Sequence, residues 1–309
     1  MTAQGTAGWE SLFGTGPVVV DGGLSTQLER RGHQVAGQLW TGRVLLDDPL
    51  AVTQAQRDFV DAGADVVITA SYQVSRAGFV EIGMTSDQAD AALLSSIDAA
   101  RAATGSASVR VAASVGPYGA ILHDGSEYRG NYGLSRDELA AFHRERVAVL
   151  VAGRPDLLAV ETIPDVLEAQ AIADVLAEYP DVPAWMTFTA RDGERLWAGQ
   201  PIEDAILAAT QAPNVVAVGI NCTDPRHVTE LVQRIALVTD VPVVVYPNAG
   251  GSWDSGSGAW DGVGADGTQF APSIISEWRA AGAVAIGGCC GTDDRTIRRI
   301  SSALAGTGS

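Results

Sequence analysis

Three cysteines stand at positions that predict a metal site. Cys222 ends the segment GINC, whereas Cys289 and Cys290 are adjacent in GGCCG. Thiolates are soft ligands, which favour zinc or copper(I) over magnesium or calcium. Three protein ligands leave one position of a tetrahedral ion open, as in catalytic zinc sites, whereas structural zinc is closed by four ligands. We therefore predict one zinc ion per chain, bound by these three cysteines.

The open fourth position suits the sulfur of a substrate. A free thiol has a pKa of about 8.5 and is mostly protonated at neutral pH, whereas coordination to zinc deprotonates it. Three cysteine thiolates make the complex electron-rich, so a fourth thiolate stays nucleophilic toward a carbon such as a sulfonium methyl. Two alternatives remain. The adjacent cysteines could be ordinary apolar packing, or a histidine could close a structural site. Only His227 is near Cys222, and we expect it on a helix surface.

Eight short apolar segments, each followed by a stretch of helical length, can position the cysteines. The predicted strands are 17–21, 64–70, 109–115, 156–161, 183–190, 214–220, 241–246 and 283–287, and the predicted helices lie near 49–62, 86–103, 135–152, 164–179, 201–212, 225–239, 272–281 and 293–304. Apolar strands that alternate with helices indicate a parallel sheet covered on both faces. Eight strands close a barrel. We predict an α/β fold, a single-domain (β/α)₈ TIM barrel over 1–309 with its core at about 17–304. An open doubly wound sheet is the alternative.

The carboxyl ends of barrel strands carry the chemistry. The residues predicted there include Asp21, Gly22, Thr69, Ser71, Glu161 and Asn221, together with all three cysteines. Inward-facing groups of alternate strands share one layer of a barrel, so cysteines from strands six and eight can converge. Adjacent residues of a regular strand face opposite sides, so the chain must leave the strand at Cys289, where flanking glycines allow a turn. The long predicted loops 22–48 and 247–270 are expected to be functional.

Composition excludes several classes of protein. The net charge of −17 argues against nucleic acid or an anionic membrane as a partner. All twenty basic residues are arginine, which excludes Schiff-base chemistry and a Walker-A loop. No apolar run reaches eighteen residues, and the N-terminus does not read as a secretory signal. We therefore expect a cytoplasmic protein with small-molecule substrates, and the sequence does not indicate its oligomeric state.

Seven segments, in collinear order between about residue 17 and residue 300, resemble the homocysteine S-methyltransferase family. They are DGGLSTQLERRG (21–32), DVVITASYQ (65–73), SVGPYGAILHDGSEYRGNYGLS (114–135), AVETIP (159–164), GINCTDP (219–225), VYPNAG (245–250) and IGGCCGT (286–292). The GSEYRGNY stretch is more similar to the branch that uses S-methylmethionine or S-adenosylmethionine than to the betaine branch. No motif of the family maps onto 251–270.

The resemblance implies a role for each matching residue. Cys222, Cys289 and Cys290 would bind zinc, and Asp21 and Gly22 would contact the homocysteine backbone. Glu161 would receive the amino group, Thr69 or Ser71 would lie near the carboxylate, and Asn221 would orient the site. The implied reaction moves a methyl group from a sulfonium donor to L-homocysteine, which gives methionine. Selenocysteine or another small thiol as acceptor, and a zinc- or thiol-binding barrel without turnover, are the alternatives.

Overall fold

A computed structural model of the chain describes residues 2–35, 39–105, 108–250, 252–254, 259–261 and 268–306. Eight parallel strands form one sheet in the spatial order β1-β8-β7-β6-β5-β4-β3-β2. They are Val18–Val19 (β1), Val66–Ile68 (β2), Arg110–Val115 (β3), Leu157–Ile163 (β4), Ala184–Phe188 (β5), Val215–Asn221 (β6), Val243–Tyr246 (β7) and Ala283–Ile286 (β8). A parallel bridge between Val20 and Val66 joins the two outer strands, which closes the barrel. The predicted (β/α)₈ fold is confirmed.

Every predicted helix is present. The α-helices are Thr2–Phe13 (α1), Leu24–Arg30 (α2), Thr41–Asp47 (α3), Pro49–Asp61 (α4), Arg76–Glu81 (α5), Ser86–Thr104 (α6), Arg136–Ala152 (α7), Val166–Leu176 (α8), Ile202–Ala209 (α9), Val228–Ala236 (α10), Pro272–Ala281 (α11) and Asp294–Ala305 (α12). A 3₁₀ turn at Pro225–His227 opens the segment of α10. The capping box predicted at Ser135 and Glu138 begins α7, with both reciprocal hydrogen bonds formed.

Four helices were not predicted. The predicted loop 22–48 contains α2 and α3, which have seven residues each, and α5 has six. Helices this short show no clear periodicity and depend on tertiary packing, as the buried Leu28 of α2 illustrates. The fourth, α1, packs across the amino ends of the strands. Its Trp9 is buried, and Arg110 at the start of β3 donates a hydrogen bond to the Leu12 carbonyl.

Apolar side chains fill the interior of the barrel. Val18, Val66, Trp185, Val244 and Ala285 belong to one buried cluster inside the sheet. A larger cluster lies between the sheet and the helices. Because α1 covers the amino end and the interior is filled, polar chemistry is confined to the carboxyl end of the strands.

The predicted functional loop 247–270 lies partly outside the described residues. Its described parts include an antiparallel pair of short strands, Ser252–Asp254 and Ala259–Asp261, and a 3₁₀ turn, Thr268–Phe270. Within the part of the chain that the structure describes, no helix combines the length and the apolar character that a membrane crossing requires.

Candidate metal and substrate site

The three cysteine sulfurs meet at the carboxyl end of the barrel. The Sγ atoms of Cys222 and Cys290 are 3.6 Å apart, and those of Cys289 and Cys290 are 4.0 Å apart. All three lie within 4.8 Å of one another, and no other Cys, His, Asp or Glu of the described residues joins the group. A tetrahedral zinc ion with Zn–S bonds of about 2.3 Å separates its sulfurs by about 3.8 Å. The sulfur spacing therefore fits such an ion, with one position open.

A tight turn presents Cys289 and Cys290 on the same side of the chain. As predicted, the strand ends before them, at Ile286, and Gly291 takes a left-handed conformation with φ of +78°. The Cys289 N–H donates to the Pro247 carbonyl at 2.8 Å. The Thr292 hydroxyl donates to the Cys289 carbonyl at 2.6 Å and accepts from the Gly23 N–H at 3.1 Å. These bonds fix the turn between β7 and the segment after β1.

Close approach of Gly23 to this turn requires the absence of a side chain. A Cβ atom at Gly23 would lie 2.5 Å from the Cys289 carbonyl oxygen. At the neighbouring Gly22, a Cβ atom would lie 2.8 Å from the Phe59 ring. Gly23 therefore packs directly against the turn that carries Cys289 and Cys290, and Gly22 packs against α4.

Cys222 is the thiol most ready to ionise. Hydrogen bonds from the Cys289 and Cys290 thiols lower its pKa well below the usual range. The Tyr128 hydroxyl lies 3.1 Å from the Cys222 sulfur and supports the thiolate in the same way. Cys222 also takes a left-handed backbone conformation with φ of +46°, which is uncommon for a residue other than glycine. The surrounding structure must hold it there.

Asp21 and Glu161 lie in the mouth of the barrel as buried carboxylates. Asp21 accepts a hydrogen bond from the Ile68 N–H at 2.8 Å, and burial raises its pKa well above the usual range. Burial likewise raises the pKa of Glu161 to about 8, against hydrogen bonds from Ser114 and Tyr246 that lower it. None of the ion pairs in the described residues includes Glu161. The charge of Arg146 lowers the pKa of Glu161 but does not offset the effect of burial, so Glu161 can still receive a cation in direct contact.

The hydroxyls of Thr69 and Ser71 are already bonded within the protein. Their oxygens are 2.7 Å apart, Ser71 donates to the Ser114 carbonyl at 2.7 Å, and Thr69 accepts from the Ser114 N–H at 2.9 Å. Both residues are buried. This network joins the ends of β2 and β3, beside the Ser114 hydroxyl that bonds Glu161. A direct contact of either residue with a substrate carboxylate stays a prediction.

Asn221 is fully buried behind the site. Its Oδ1 accepts from the Thr162 N–H at 2.7 Å and from the Thr187 hydroxyl at 2.9 Å, and its Nδ2 donates to the Thr162 hydroxyl at 2.7 Å. These bonds hold Asn221 between β4 and β5. All of these contacts are made with other residues of the protein, so they fit the predicted role of Asn221 in orienting the site.

Comparisons with known proteins agree with this arrangement. A family model described as homocysteine S-methyltransferase matches residues 18–304. Homocysteine S-methyltransferase 4 of Zea mays is 43% identical, covering 94% of this chain and 90% of the relative. The Escherichia coli homocysteine S-methyltransferase is 41% identical over 92% of this chain and 94% of its own. The crystal structure of the metallated homocysteine methyltransferase MmuM from Escherichia coli superposes with a TM-score of 0.83 at 38% identity, covering 93% and 96% of the two chains.

The chain belongs to the homocysteine S-methyltransferase family.

The resemblance seen in the sequence is thereby confirmed. The structure of this homocysteine S-methyltransferase family member brings together the three predicted metal ligands, Asp21 and Glu161 at one end of the barrel. The charges of Asp21, Glu161 and Cys289 act on one another, so these residues lie close together, as the predicted strand ends implied. Their individual roles in binding stay predictions.

Sequence reasoning missed several residues of the site. Tyr246 ends β7 and lies 2.7 Å from the Thr187 hydroxyl, with its own hydroxyl toward Glu161. Tyr128 belongs to the GSEYRGNY segment, which the resemblance marked without giving a role to any residue. Arg146 of α7 is buried and donates to the carbonyls of Tyr72 and Gly116, each at 3.1 Å. A buried arginine inside a helix gives no sequence signal that points to a barrel mouth.

Proposed function

We propose that the protein uses a zinc ion held by Cys222, Cys289 and Cys290 to transfer a methyl group from a sulfonium donor to the sulfur of L-homocysteine, which forms methionine. The observation that carries the proposal is the cluster of three thiols beside the unpaired, buried carboxylate of Glu161. Methyl transfer to homocysteine is the activity that names the family and its relatives. The zinc ion and the sulfonium class of donor go beyond what the names of the family and its relatives state.

The residues present fit zinc. Three soft sulfur ligands at tetrahedral spacing leave one position for a substrate atom, and the metallated form of the Escherichia coli relative shows that a family member holds a metal. When bound, zinc supplies an open coordination position at which a thiol loses its proton. No protein side chain is then needed as a general base for that proton.

The chain's own residues bind and orient the amino acid. The Glu161 carboxylate faces the ammonium group, because it is buried and forms no ion pair among the described residues. Ser114 and Tyr246 hold that carboxylate by hydrogen bonds. Gly23 packs against the turn of Cys289 and Cys290, and Asp21 and Gly22 beside it contact the homocysteine backbone. Such orientation supplies much of the rate in a reaction between two bound substrates.

The reaction balances without a further reactant. The carbon–sulfur bond between the donor methyl and its sulfonium sulfur breaks, and both electrons stay on that sulfur. A new carbon–sulfur bond forms at homocysteine with electrons of its thiolate. The thiol proton goes to solvent, the donor leaves as a neutral thioether, and methionine is the other product.

A methyl-transfer assay that compares donors tests the proposal. The purified protein with homocysteine should form methionine from S-methylmethionine or S-adenosylmethionine and little from betaine, which carries its methyl groups on nitrogen. Selenocysteine in place of homocysteine checks the alternative acceptor. Loss of all transfer from both sulfonium donors, in protein that contains zinc, would overturn the proposal.

X-ray absorption at the zinc edge distinguishes a catalytic from a structural metal. Three sulfur neighbours should be found in the free protein and four with homocysteine present, because the open position accepts the substrate sulfur. An unchanged shell of ligands would favour a structural zinc site or a binding protein without turnover.

A further inference from the structure

One carboxylate and two aromatic rings lie beside Cys222 and take no part in binding homocysteine as described. The turn Ser126–Tyr128 carries Glu127 and Tyr128. Tyr128 reaches the Cys222 sulfur, and its ring meets Trp197 edge to face, with centroids 6.2 Å apart and planes at 70°. These three residues, Glu127, Tyr128 and Trp197, are called the rim cluster below.

The Glu127 carboxylate has no cation. Its Oε2 is buried and accepts no hydrogen bond, and no ion pair of the described residues includes Glu127. Burial raises the pKa of Glu127 to about 7, which reflects the cost of a charge without a partner. Its charge also acts on Cys222 and Tyr72, so the carboxylate lies on the side of the metal ligands. A positive group on a substrate would relieve this cost.

Trp197 is an exposed aromatic residue at the mouth of the barrel. It is 41% exposed, which is high for tryptophan, a residue that is highly buried on average. In an edge-to-face pair, the ring that presents its edge keeps both of its faces available. The faces of tryptophan and tyrosine attract cations, and they attract sulfonium and quaternary ammonium groups in the same way.

Asp165 holds the two halves of the rim cluster in place. Its carboxylate accepts from the Asn131 N–H at 2.9 Å, three residues after Tyr128, and from the Gln200 side chain at 3.1 Å, three residues after Trp197. The Asn131 side chain also donates to the carbonyl of Ala198. Both segments are therefore anchored to the start of α8, and this anchoring holds the residues of the rim cluster in a fixed arrangement.

We propose that the rim cluster binds the positively charged sulfur of the methyl donor, with Glu127 opposite its charge and the rings of Tyr128 and Trp197 against its methyl groups. The inference rests on the proposed function and adds the location of the donor. It also explains why the demethylated donor leaves the site. When the methyl group leaves, the donor sulfur becomes neutral, so the cluster loses its attraction for the product and releases it.

Steady-state kinetics of Glu127→Gln tests the role of the carboxylate. The substitution keeps the shape of the side chain and removes its charge. We expect the KM for S-methylmethionine to rise about tenfold or more, as for the loss of a desolvated charge contact. The KM for homocysteine and the zinc content should stay unchanged. Glu178→Gln, the same change at an exposed residue of the turn after α8, is the matched control and should alter neither KM.

Substitution of Trp197 tests the aromatic part separately. Because the side chain is exposed, its replacement should leave the fold intact. Trp197→Leu should raise the KM for the sulfonium donor roughly fivefold, and Trp197→Phe should restore most of the loss, because a ring face is kept. Equal effects of leucine and phenylalanine would contradict a cation–ring contact.

The trimethylsulfonium ion tests the contact with the sulfonium group alone, because this ion has a sulfonium sulfur and no amino group. It should inhibit the protein in competition with S-methylmethionine, and inhibition should weaken in Glu127→Gln. Inhibition of equal strength in both proteins would overturn the assignment of Glu127 to the sulfonium.

Failure of this inference can be distinguished from failure of the proposed function. An active protein whose donor KM is unchanged in Glu127→Gln and Trp197→Leu overturns the rim cluster and leaves the proposed function intact. A protein that transfers no methyl from any sulfonium donor overturns both.

Discussion

The side-chain amide of Asn221 holds both the backbone N–H and the hydroxyl of Thr162, each at 2.7 Å. Thr162 has a φ of +61°, a conformation that a β-branched residue rarely adopts, and it directly follows Glu161. Asn221 itself directly precedes Cys222, whose φ is also positive. One buried amide therefore connects the segment of Glu161 with the segment of Cys222.

Replacement of Asn221 should affect stability and homocysteine binding together. Asn221→Ala removes three buried hydrogen bonds at about 1 kcal/mol each, so the free energy of unfolding should fall by about 3 kcal/mol. The KM for homocysteine should rise, because Thr162 relaxes and Glu161 moves with it. Urea unfolding and steady-state kinetics measure the two effects.

Asn214 offers a matched control for that substitution. It is a buried asparagine just before β6, at the opposite end of the barrel, where its side chain donates to the carbonyls of Tyr179 and Val182. Asn214→Ala removes two buried hydrogen bonds, so it should lower the free energy of unfolding by about 2 kcal/mol and leave the KM for homocysteine unchanged. If both variants raise that KM equally, Asn221 has no specific role in the site.

Loss of one sulfur ligand should remove the metal. Cys290→Ser replaces a soft thiolate with a hydroxyl that binds zinc poorly, so zinc per chain should fall from about one to near zero, and methyl transfer should fall with it. Metal analysis and the transfer assay on the same sample measure both. Circular dichroism checks that the barrel is still folded. Full activity in a zinc-free Cys290→Ser protein would contradict the metal's role.

A methyl group at Gly23 should weaken the metal site without touching a ligand. Gly23→Ala places a carbon 2.5 Å from the Cys289 carbonyl oxygen, and that backbone must shift. Zinc affinity, measured by competition with a chelator, should fall at least tenfold. Gly16→Ala is the matched control, because a Cβ atom there meets nothing within 4 Å. The two variants should differ clearly in zinc affinity, and equal affinities would exclude the proposed packing.

The pH dependence of homocysteine binding should report Glu161. Only its ionised form pairs with the ammonium group, and burial raises its pKa to about 8. As the pH falls below 8, the ionised fraction falls about tenfold per unit, so the affinity should weaken. Glu161→Gln should bind homocysteine more weakly and lack this part of the dependence. The thiol's own proton affects both proteins alike, so the ratio of their KM values between pH 6.5 and 8.5 isolates the carboxylate.

The site was predictable from the sequence where it depends on strand ends. The positions of Glu161 and the three cysteines follow from eight apolar segments and the rule that active residues lie at their carboxyl ends. Left-handed conformations at Thr162 and Cys222 were not predictable, because they are imposed by long-range hydrogen bonds. Glu127 and Trp197 were missed for a related reason: their proximity depends on how two segments outside the sheet pack around Asp165.

The ligand turn joins distant parts of the chain. Cys222 and Cys290 are 68 positions apart, and the Gly23–Thr292 hydrogen bond spans 269 positions. Because Cys290 follows the eighth strand, it is synthesised only after all eight strands, and the turn that presents it requires β1 and β8 to be paired already. The proposed zinc site is therefore completed only in a finished barrel, and an interrupted or misfolded chain would acquire no reactive metal centre.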